Sequence, residues 1–467
     1  MQPIPSQLVI PLRVVDVFIF LTLFMDILVF RAIHRLNSKK KLVFTARVKR
    51  LIATIVILCA LLSGVLIYFS DWMRVLPGIA ILVVSVQWFV NIIANVMNHP
   101  IEKGISNWYI NDAKKRLRQM PNLKVIGVTG SYGKTSMKYY LKTLLQNKYS
   151  VLMTPGNFNT PLGVTITVRR DLKPTHEIFI CEMGARRVGE IKEVCDIVHP
   201  DMGVITSVGP QHLETFGSME NIQKTKFELA DALPEGGLLF LNGDNDYIQE
   251  KAAEYPKKVF YYSEKSGAGY QAKDVKVSQL GTEFTVVTPS GEEERFTMRL
   301  VGAHNVINVV GAIGVAHSLG MSLKELKVPV RRIQPVEHRM ELKPQGDVTI
   351  IDDAYNSNPV GSKAAVETLK MFDGIRILIT PGMVELGDME EEYNYKFGTY
   401  AASCCDYIIL VGSKHTKPIY EGVVSEGFDK DRLFAFEKLE EALHQAYRIK
   451  GQGHKYILLE NDLPDNY

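Results

Sequence analysis

The sequence predicts an α/β protein in three parts: N-terminal transmembrane helices, a central parallel-sheet domain of the P-loop ATPase type, and a C-terminal Rossmann-like α/β domain. Three observations predict it. Two long uncharged apolar runs lie before residue 100. A Gly-rich turn, GVTGSYGKTS, joins a strand-like stretch to a helix-like one. Near residue 333 the alternation of buried strands and helices starts afresh, as expected of a further parallel sheet.

Composition narrows the field first. Of 467 residues, 35 are Gly and 21 Pro, close to average usage, which excludes a collagen-like or low-complexity chain. Apolar residues are 46% and charged ones 22%, which excludes wholesale disorder. The net charge is +3, too small a field to argue for nucleic acid as a partner. Five Cys without a CxxC pair point away from disulfides or zinc and fit a reducing compartment.

Leu51 to Ser70 and Val75 to Met97 carry no charged residue. Twenty helical residues span about 30 Å, the thickness of a bilayer core. An earlier apolar stretch, Val14 to Phe30, contains Asp16 and Asp26, and a charge at mid-membrane costs about 2.5–3.5 kcal/mol. A signal peptide is excluded by the lack of a basic start and of a small-residue cleavage site. Basic residues crowd Arg31 to Arg50 and recur at Lys114, Lys115, Arg116 and Arg118. The positive-inside rule then sets both flanks in the cytoplasm. The expectation is a multi-pass cell-membrane protein in contact with membrane lipids. Residues 1–100 form its membrane region (spans near 14–30, 51–70 and 75–97), followed by a linker helix over 101–122 and a cytoplasmic body.

The body divides into a central domain, 123–330, and a C-terminal domain, 331–467. In the first, Leu123 to Val128, Glu177 to Cys181 and Met202 to Ile205 read as buried parallel strands with helices between. Residues 255–300 change to short alternating runs such as Phe284 to Thr288, which predict an antiparallel patch. In the second, Val348 to Ile351, Arg376 to Thr380, Tyr407 to Val411 and Tyr456 to Leu459 read as strands.

The Gly-rich turn is a phosphate nest. Backbone N–H groups of Gly130, Ser131 and Gly133, with a helical stretch following over Ser136 to Gln146, present donors and a positive dipole end to an anion. Lys134 supplies a cation, and the Thr135 and Ser136 hydroxyls complete the loop, Thr135 toward Mg²⁺. The strict pattern wants Gly at 128, where this chain has Val; a Gly stands one earlier, at 127. Glu182 follows a strand and points into the crevice where ligands bind in such sheets. His212 lies in the loop SVGPQHLETFGS. Lys226 and Glu228 lie in KTKFELAD, where a solvated helix face is the plain alternative.

TGSYGKTS, EMGARRVGEI, GPQHLETFGSMENIQKTKFEL, GAHNVINVVGA, EHRME and DDAYNSNP occur in that order over residues 127–360. Together they resemble the Mur ligases, ATP-dependent enzymes that add amino acids to peptidoglycan precursors. DDAYNSNP is similar to the signature of the D-alanyl-D-alanine-adding branch. The resemblance implies ATP and Mg²⁺ as cofactors, with Thr135, Glu182, His212 and a carbamylated Lys226 holding Mg²⁺. It implies Asn305 at adenine, Asp353 at the ribose and Arg339 at the γ-phosphate. Asn356 and Asn358, with the tract Met383 to Met389, are assigned to the amine pocket, an ordinary loop being the plain alternative. Lys134, Lys226, His212 and Arg339 are the expected catalytic residues.

The implied reaction is amide formation through an acyl phosphate, in which D-Ala-D-Ala attacks an activated cell-wall peptide precursor. The resemblance does not reach residues 1–100, where family members carry a domain for the UDP-sugar, so a UDP-linked or a lipid-linked acceptor both remain open here. A membrane-tethered ligase of the poly-γ-glutamate capsule type is the alternative, and DDAYNSNP speaks against it.

Overall fold

A computed structural model describes residues 43–68, 72–255, 258–265, 269–355, 357–413 and 415–462. Two units are distinguished, residues 1–109 and 110–467.

In the first unit, helix α1 (Ala46–Tyr68) contains the run beginning at Leu51. The run beginning at Val75 and the expected linker both fall on one uninterrupted helix, α2 (Trp72–Arg118). Arg50 pairs with Glu102 at 2.8 Å, and the Asn98 amide donates to Thr54 Oγ1 at 3.0 Å. Among the described residues no helix is long and apolar enough to cross a membrane. This overturns the expected multi-pass localisation, and the membrane-lipid partners and lipid-linked acceptor lose their basis with it. A span needs a helix that stays apolar over about 20 residues, and both helices extend beyond their uncharged runs into charged sequence. Here α1 opens with Arg47, Lys49 and Arg50, and α2 runs on through Glu102 and Lys103. The earliest expected span, 14–30, lies outside the described residues.

The second unit holds two sheets. The first runs from β1 (Lys124–Thr129) through β2 (Val151–Met153), β3 (Ile178–Glu182), β4 (Met202–Ile205), β5 (Leu238–Asn242) and β6 (Val259–Ser263). It ends with β7 (Tyr270–Ser278), β8 (Gly281–Val287) and β9 (Glu293–Met298). Their spatial order is β2-β3-β1-β4-β5-β6-β7-β8-β9. Strands β1 to β6 pair in parallel, and β7, β8 and β9 form the expected antiparallel patch. The order reverses at β1, so the C-terminal ends of β1, β3 and β4 open onto one crevice, the usual ligand site of such sheets.

Helices cover both faces. On one side α3 (Lys134–Leu145), α9 (Ala303–Ser318) and α10 (Leu323–Arg331) bury Leu141, Val309, Ile313 and Leu326 against Ile126, Ile180 and Phe240. On the other, α4 (Pro161–Asp171), α5 (Glu190–Val198) and α7 (Met219–Ala232) bury Val164, Ile191 and Phe227 against Phe179 and Ile205. Short helices α6 (Leu213–Phe216) and α8 (Asp246–Ala252) precede and follow α7. Each such apolar side chain stabilises the fold by about 1.5–3 kcal/mol when fully buried. Helix starts are set by capping: Thr160 accepts from Gly163 N at 3.3 Å ahead of Pro161, and Ser218 from Asn221 N at 3.2 Å.

The second sheet has the order β10-β11-β15-β12-β13-β14, from β10 (Glu341–Gln345), β11 (Val348–Asp353), β12 (Ile375–Thr380), β13 (Tyr407–Val411), β14 (Leu433–Phe436) and β15 (Lys455–Glu460). All pairs but β10·β11 are parallel. Near-continuous apolar runs such as ILIT and IIL suit strands covered on both faces. Helices α11 (Pro359–Leu369), α12 (Glu390–Cys404) and α13 (Lys417–Ser425) bury Val366, Phe397 and Ile419 on one face, while α14 (Leu439–Arg448) buries Ala442 and Ala446 on the other.

Candidate active site

The phosphate loop links β1 to α3. Gly130 has φ +149°, and a Cβ there would stand 2.1 Å from Thr206 Oγ1, so only glycine lets the loop approach the end of β4. Gly133, at φ +78°, caps α3 without a side-chain bond, which leaves the first N–H groups of the helix facing outward. Val128 at the departure from the strict pattern is fully buried within β1. Gly127 packs against Leu229, whose Cδ1 would lie 2.7 Å from a Cβ, so this glycine serves the sheet rather than the turn.

The loop is pinned to the segment after β4. Ser131 N donates to Ser207 O at 2.8 Å, Tyr132 N to Ser207 Oγ at 2.7 Å, and Ser131 Oγ to Gly209 O at 2.9 Å. Lys134 Nζ donates back to Gly130 O at 2.6 Å and Ser131 O at 2.9 Å. Partial desolvation pushes the Lys134 ammonium down to about 8, with Glu182 opposing and Arg339 adding to the shift.

Glu182 ends β3 inside the crevice and is 2% exposed. Its Oε1 accepts from Thr135 Oγ1 at 3.3 Å and from Asn159 Nδ2 at 3.1 Å. Its Oε2 pairs with Lys138 Nζ at 2.7 Å. Lys138, one helical turn after Lys134, is itself fully buried and also donates to Gly156 O at 2.7 Å. A cis pair of ligands around octahedral Mg²⁺ stands about 3 Å apart. The separation of Thr135 Oγ1 and Glu182 Oε1 is of that size, so a hard oxygen donor pair for Mg²⁺ is present. Among the described residues no cluster of three or more His, Cys, Asp or Glu could hold a metal.

His212 begins α6 with a left-handed backbone, φ 52°. Its Nδ1 hydrogen-bonds Glu385 Oε2 in the second sheet's half of the unit. That bond holds the Glu385 carboxyl below its usual range. Lys226 is 2% exposed on α7, with Nζ 5.5 Å from the Phe216 ring centre. Burial first, and then the charge of Lys134, pull its ammonium down to about 7.

Two adjoining cavities gather these groups. The larger, about 510 Å³, is lined by the loop residues Ser131 to Ser136, by Glu182 and His212, and from the second sheet's side by Arg339, Tyr355 and Asn358. The smaller, about 190 Å³, includes Asn305, Asp353 and Glu460 and shares Tyr132, Gly133, Ser136, Arg339 and Asn358. Arg339 thus faces both. Its guanidinium lies 4.6 Å from the Tyr355 ring centre. The EHRME and DDAYNSNP segments hold each other: Met340 N donates to Asp353 Oδ1 at 3.1 Å, and His338 Nδ1 bonds Asp352 Oδ2 at 2.8 Å. Burial pushes Asp353 up to about 7, against the pull of Arg339.

Three of the sequence-predicted residues have other commitments or lie off the larger cavity. Lys226 is not among the residues lining the larger cavity. Asn305 spends its carbonyl on the Tyr140 hydroxyl (2.8 Å) and one amide proton on Val301 O (2.9 Å). Asn358 caps α11, accepting from Gly361 N at 2.8 Å, so its lining position comes with a structural duty. Asn356 lies outside the described residues. Sequence reasoning missed Lys138, Asn159 and Glu385. Lys138 was reachable from its i, i+4 spacing to Lys134 on a helix; the other two carry no local signal.

A phosphate loop, a buried carboxylate at the neighbouring strand end and an arginine reaching over from a second α/β layer define the class of ATP-dependent ligases built on two α/β domains. Residues 128–316 match the Mur ligase middle domain and residues 338–459 the Mur ligase glutamate ligase domain. The chain is 31% identical over 349 residues to the UDP-N-acetylmuramoyl-tripeptide--D-alanyl-D-alanine ligase of Escherichia coli (strain K12), covering 74% of this chain and 77% of that one. It is 33% identical over 344 residues to the enzyme of that name from Bacillus subtilis (strain 168), covering 73% of each. Among solved structures, MurF from Acinetobacter baumannii superposes with a TM-score of 0.68 at 28% identity, covering 76% of this chain and 77% of that one. The MurF ligase from Thermotoga maritima in complex with ADP gives 0.68 at 25%, covering 76% and 80%. The chain belongs to the Mur ligase family.

Proposed function

We propose that this chain joins D-alanyl-D-alanine to a UDP-linked muramoyl tripeptide in an ATP-dependent reaction. The observation that carries the proposal is the convergence of Lys134, Thr135, Glu182 and His212 with Arg339 on one cavity. The names of the relatives supply the substrates, and they favour this reading over the poly-γ-glutamate type. Residues 123–330 act as the ATP-binding domain and 331–467 as the C-terminal domain.

The chemistry follows from the charges. An acceptor carboxylate oxygen attacks the γ-phosphorus, and the bond from that phosphorus to ADP breaks. The amine nitrogen then attacks the acyl carbon, loses a proton, and inorganic phosphate leaves. Charge builds on the transferring phosphoryl oxygens, so catalysis is positioning plus electrostatic stabilisation. Lys134 and the free N–H groups at the start of α3 would hold the phosphates, the Ser131 N–H being already bonded to Ser207 O, and Arg339 on the wall of the same cavity would meet the γ-phosphoryl group. Thr135 and Glu182 would hold Mg²⁺, with His212 and a carbamylated Lys226 as further ligands, and the ion when bound would supply Lewis-acid neutralisation of the phosphate charge. Burial, by drawing the Lys226 ammonium down to about 7, raises the share of the neutral amine, the form that reacts with carbon dioxide. Asp353 and Asn305 line the cavity assigned to the nucleoside, and Asn358, which lines both cavities, is assigned to the incoming amine. Because Arg339 belongs to the other domain, closure excludes water and protects the acyl phosphate from hydrolysis.

Phosphate release from ATP, measured with UDP-muramoyl tripeptide and either D-Ala-D-Ala or glutamate, tests this. Release that requires both ATP and D-Ala-D-Ala supports it. Release driven by glutamate and not by the dipeptide refutes it.

A further inference from the structure

The loop after β12 carries Glu385, and nothing in the ligase chemistry above uses it. Yet it is the point where the second sheet's half touches His212. Both residues adopt left-handed backbones, Glu385 at φ 64° and His212 at φ 52°, a conformation uncommon outside glycine that persists where the surroundings impose it. The surroundings of Glu385 are packed and hydrogen-bonded. Buried Asn394 accepts from Met383 N and donates to Met383 O, each at 2.9 Å, and Met383 and Leu386 are buried on either side. The other carboxylate oxygen stands 3.7 Å from Arg186, a residue of the cavity wall. With Nδ1 of His212 engaged, Nε2 is the nitrogen left to bind a cation, and a carboxylate on the far ring nitrogen is the usual means of fixing a metal-binding imidazole.

We propose that Glu385 is a positioning residue that orients His212 as a Mg²⁺ ligand and does so only when the C-terminal domain is seated over the site. The metal site is then completed by closure, so that phosphoryl transfer waits for both domains. This inference rests on the reading of His212 as a ligand.

The test is Mn²⁺ titrated into the full-length protein with ADP, with free Mn²⁺ followed by electron paramagnetic resonance. Glu385→Ala weakens Mn²⁺ binding by about 10- to 100-fold, and Glu385→Gln, which keeps the shape and one acceptor, weakens it less. His212→Ala weakens it too, and the double variant is no worse than His212→Ala alone, the signature of two groups acting as one. If His212→Ala weakens Mn²⁺ binding while Glu385→Ala does not, or if the two effects multiply, the positioning role is refuted. If His212→Ala itself has no effect, the ligand assignment fails and this proposal with it. Neither outcome touches the ligase reading, which the phosphate-release assay decides separately.

Discussion

Lys138→Met isolates the strongest electrostatic commitment in the site. Lys138 and Glu182 are buried, 2.7 Å apart, and the substitution keeps the volume of the side chain while deleting its charge. A buried carboxylate left without its cation costs about 3–5 kcal/mol of stability. The lost bond to Gly156 O adds little, because Gly156 is exposed and its carbonyl can turn to water. The hydrogen bonds from Thr135 and Asn159 remain but do not neutralise the charge. Guanidinium unfolding followed by circular dichroism reads the change as a lowered midpoint. Adding Glu182→Gln removes the stranded charge, so the double variant should lose only about 1–2 kcal/mol, the worth of one or two hydrogen bonds. Mg²⁺ with ADP should stabilise Lys138→Met more than the parent, since a cation then returns to the carboxylate. A single variant within about 1 kcal/mol of the parent, or a double variant less stable than the single, refutes the reasoning.

Lys134→Ala should lower turnover by about 10²-fold or more in the ligation assay, as expected for one lost transition-state donor. The Lys134 ammonium is charged below about 8 and neutral above it, so kcat/KM for ATP should fall as pH rises through that value, and this alkaline limb should vanish in Lys134→Ala. Lys226→Ala should abolish most activity and regain part of it with millimolar formate or acetate standing in for the carbamate, measured as phosphate release. Gly130→Ala should weaken ADP binding by at least about tenfold in calorimetry, because the strain and the collision with Thr206 displace the loop.

The phosphate loop was legible because its determinants are local: two glycines, a lysine and a hydroxyl between a strand and a helix. The parallel strands were legible for a similar reason, as β-branched runs bounded by turns. Glu182 could be placed because a residue at a strand's C-terminal end has few places to point. Glu385 could not, since its partner His212 lies 173 residues away and only the packing of two sheets brings them together. The tract around it was read as amine-pocket lining, whereas Met383 and Leu386 are core. The apolar helices misled by the same logic in reverse. Charge-free length is a local property, but α2 runs unbroken to Arg118 and ties its polar residues to neighbours, which no window of twenty residues reveals.

Strand β15 is the last in sequence among the described strands, yet it lies between β11 and β12, and its Glu460 ties Ser357 to Thr380 across them. Translation therefore delivers the keystone last. Until residues 455–460 leave the ribosome, β11 and β12 present open apolar edges that invite wrong partners. All strands of the other sheet are synthesised by residue 298 and can assemble long before. Nascent chains should pass through a stage with a finished nucleotide half and an unzipped partner, the stage at which a chaperone has most to protect.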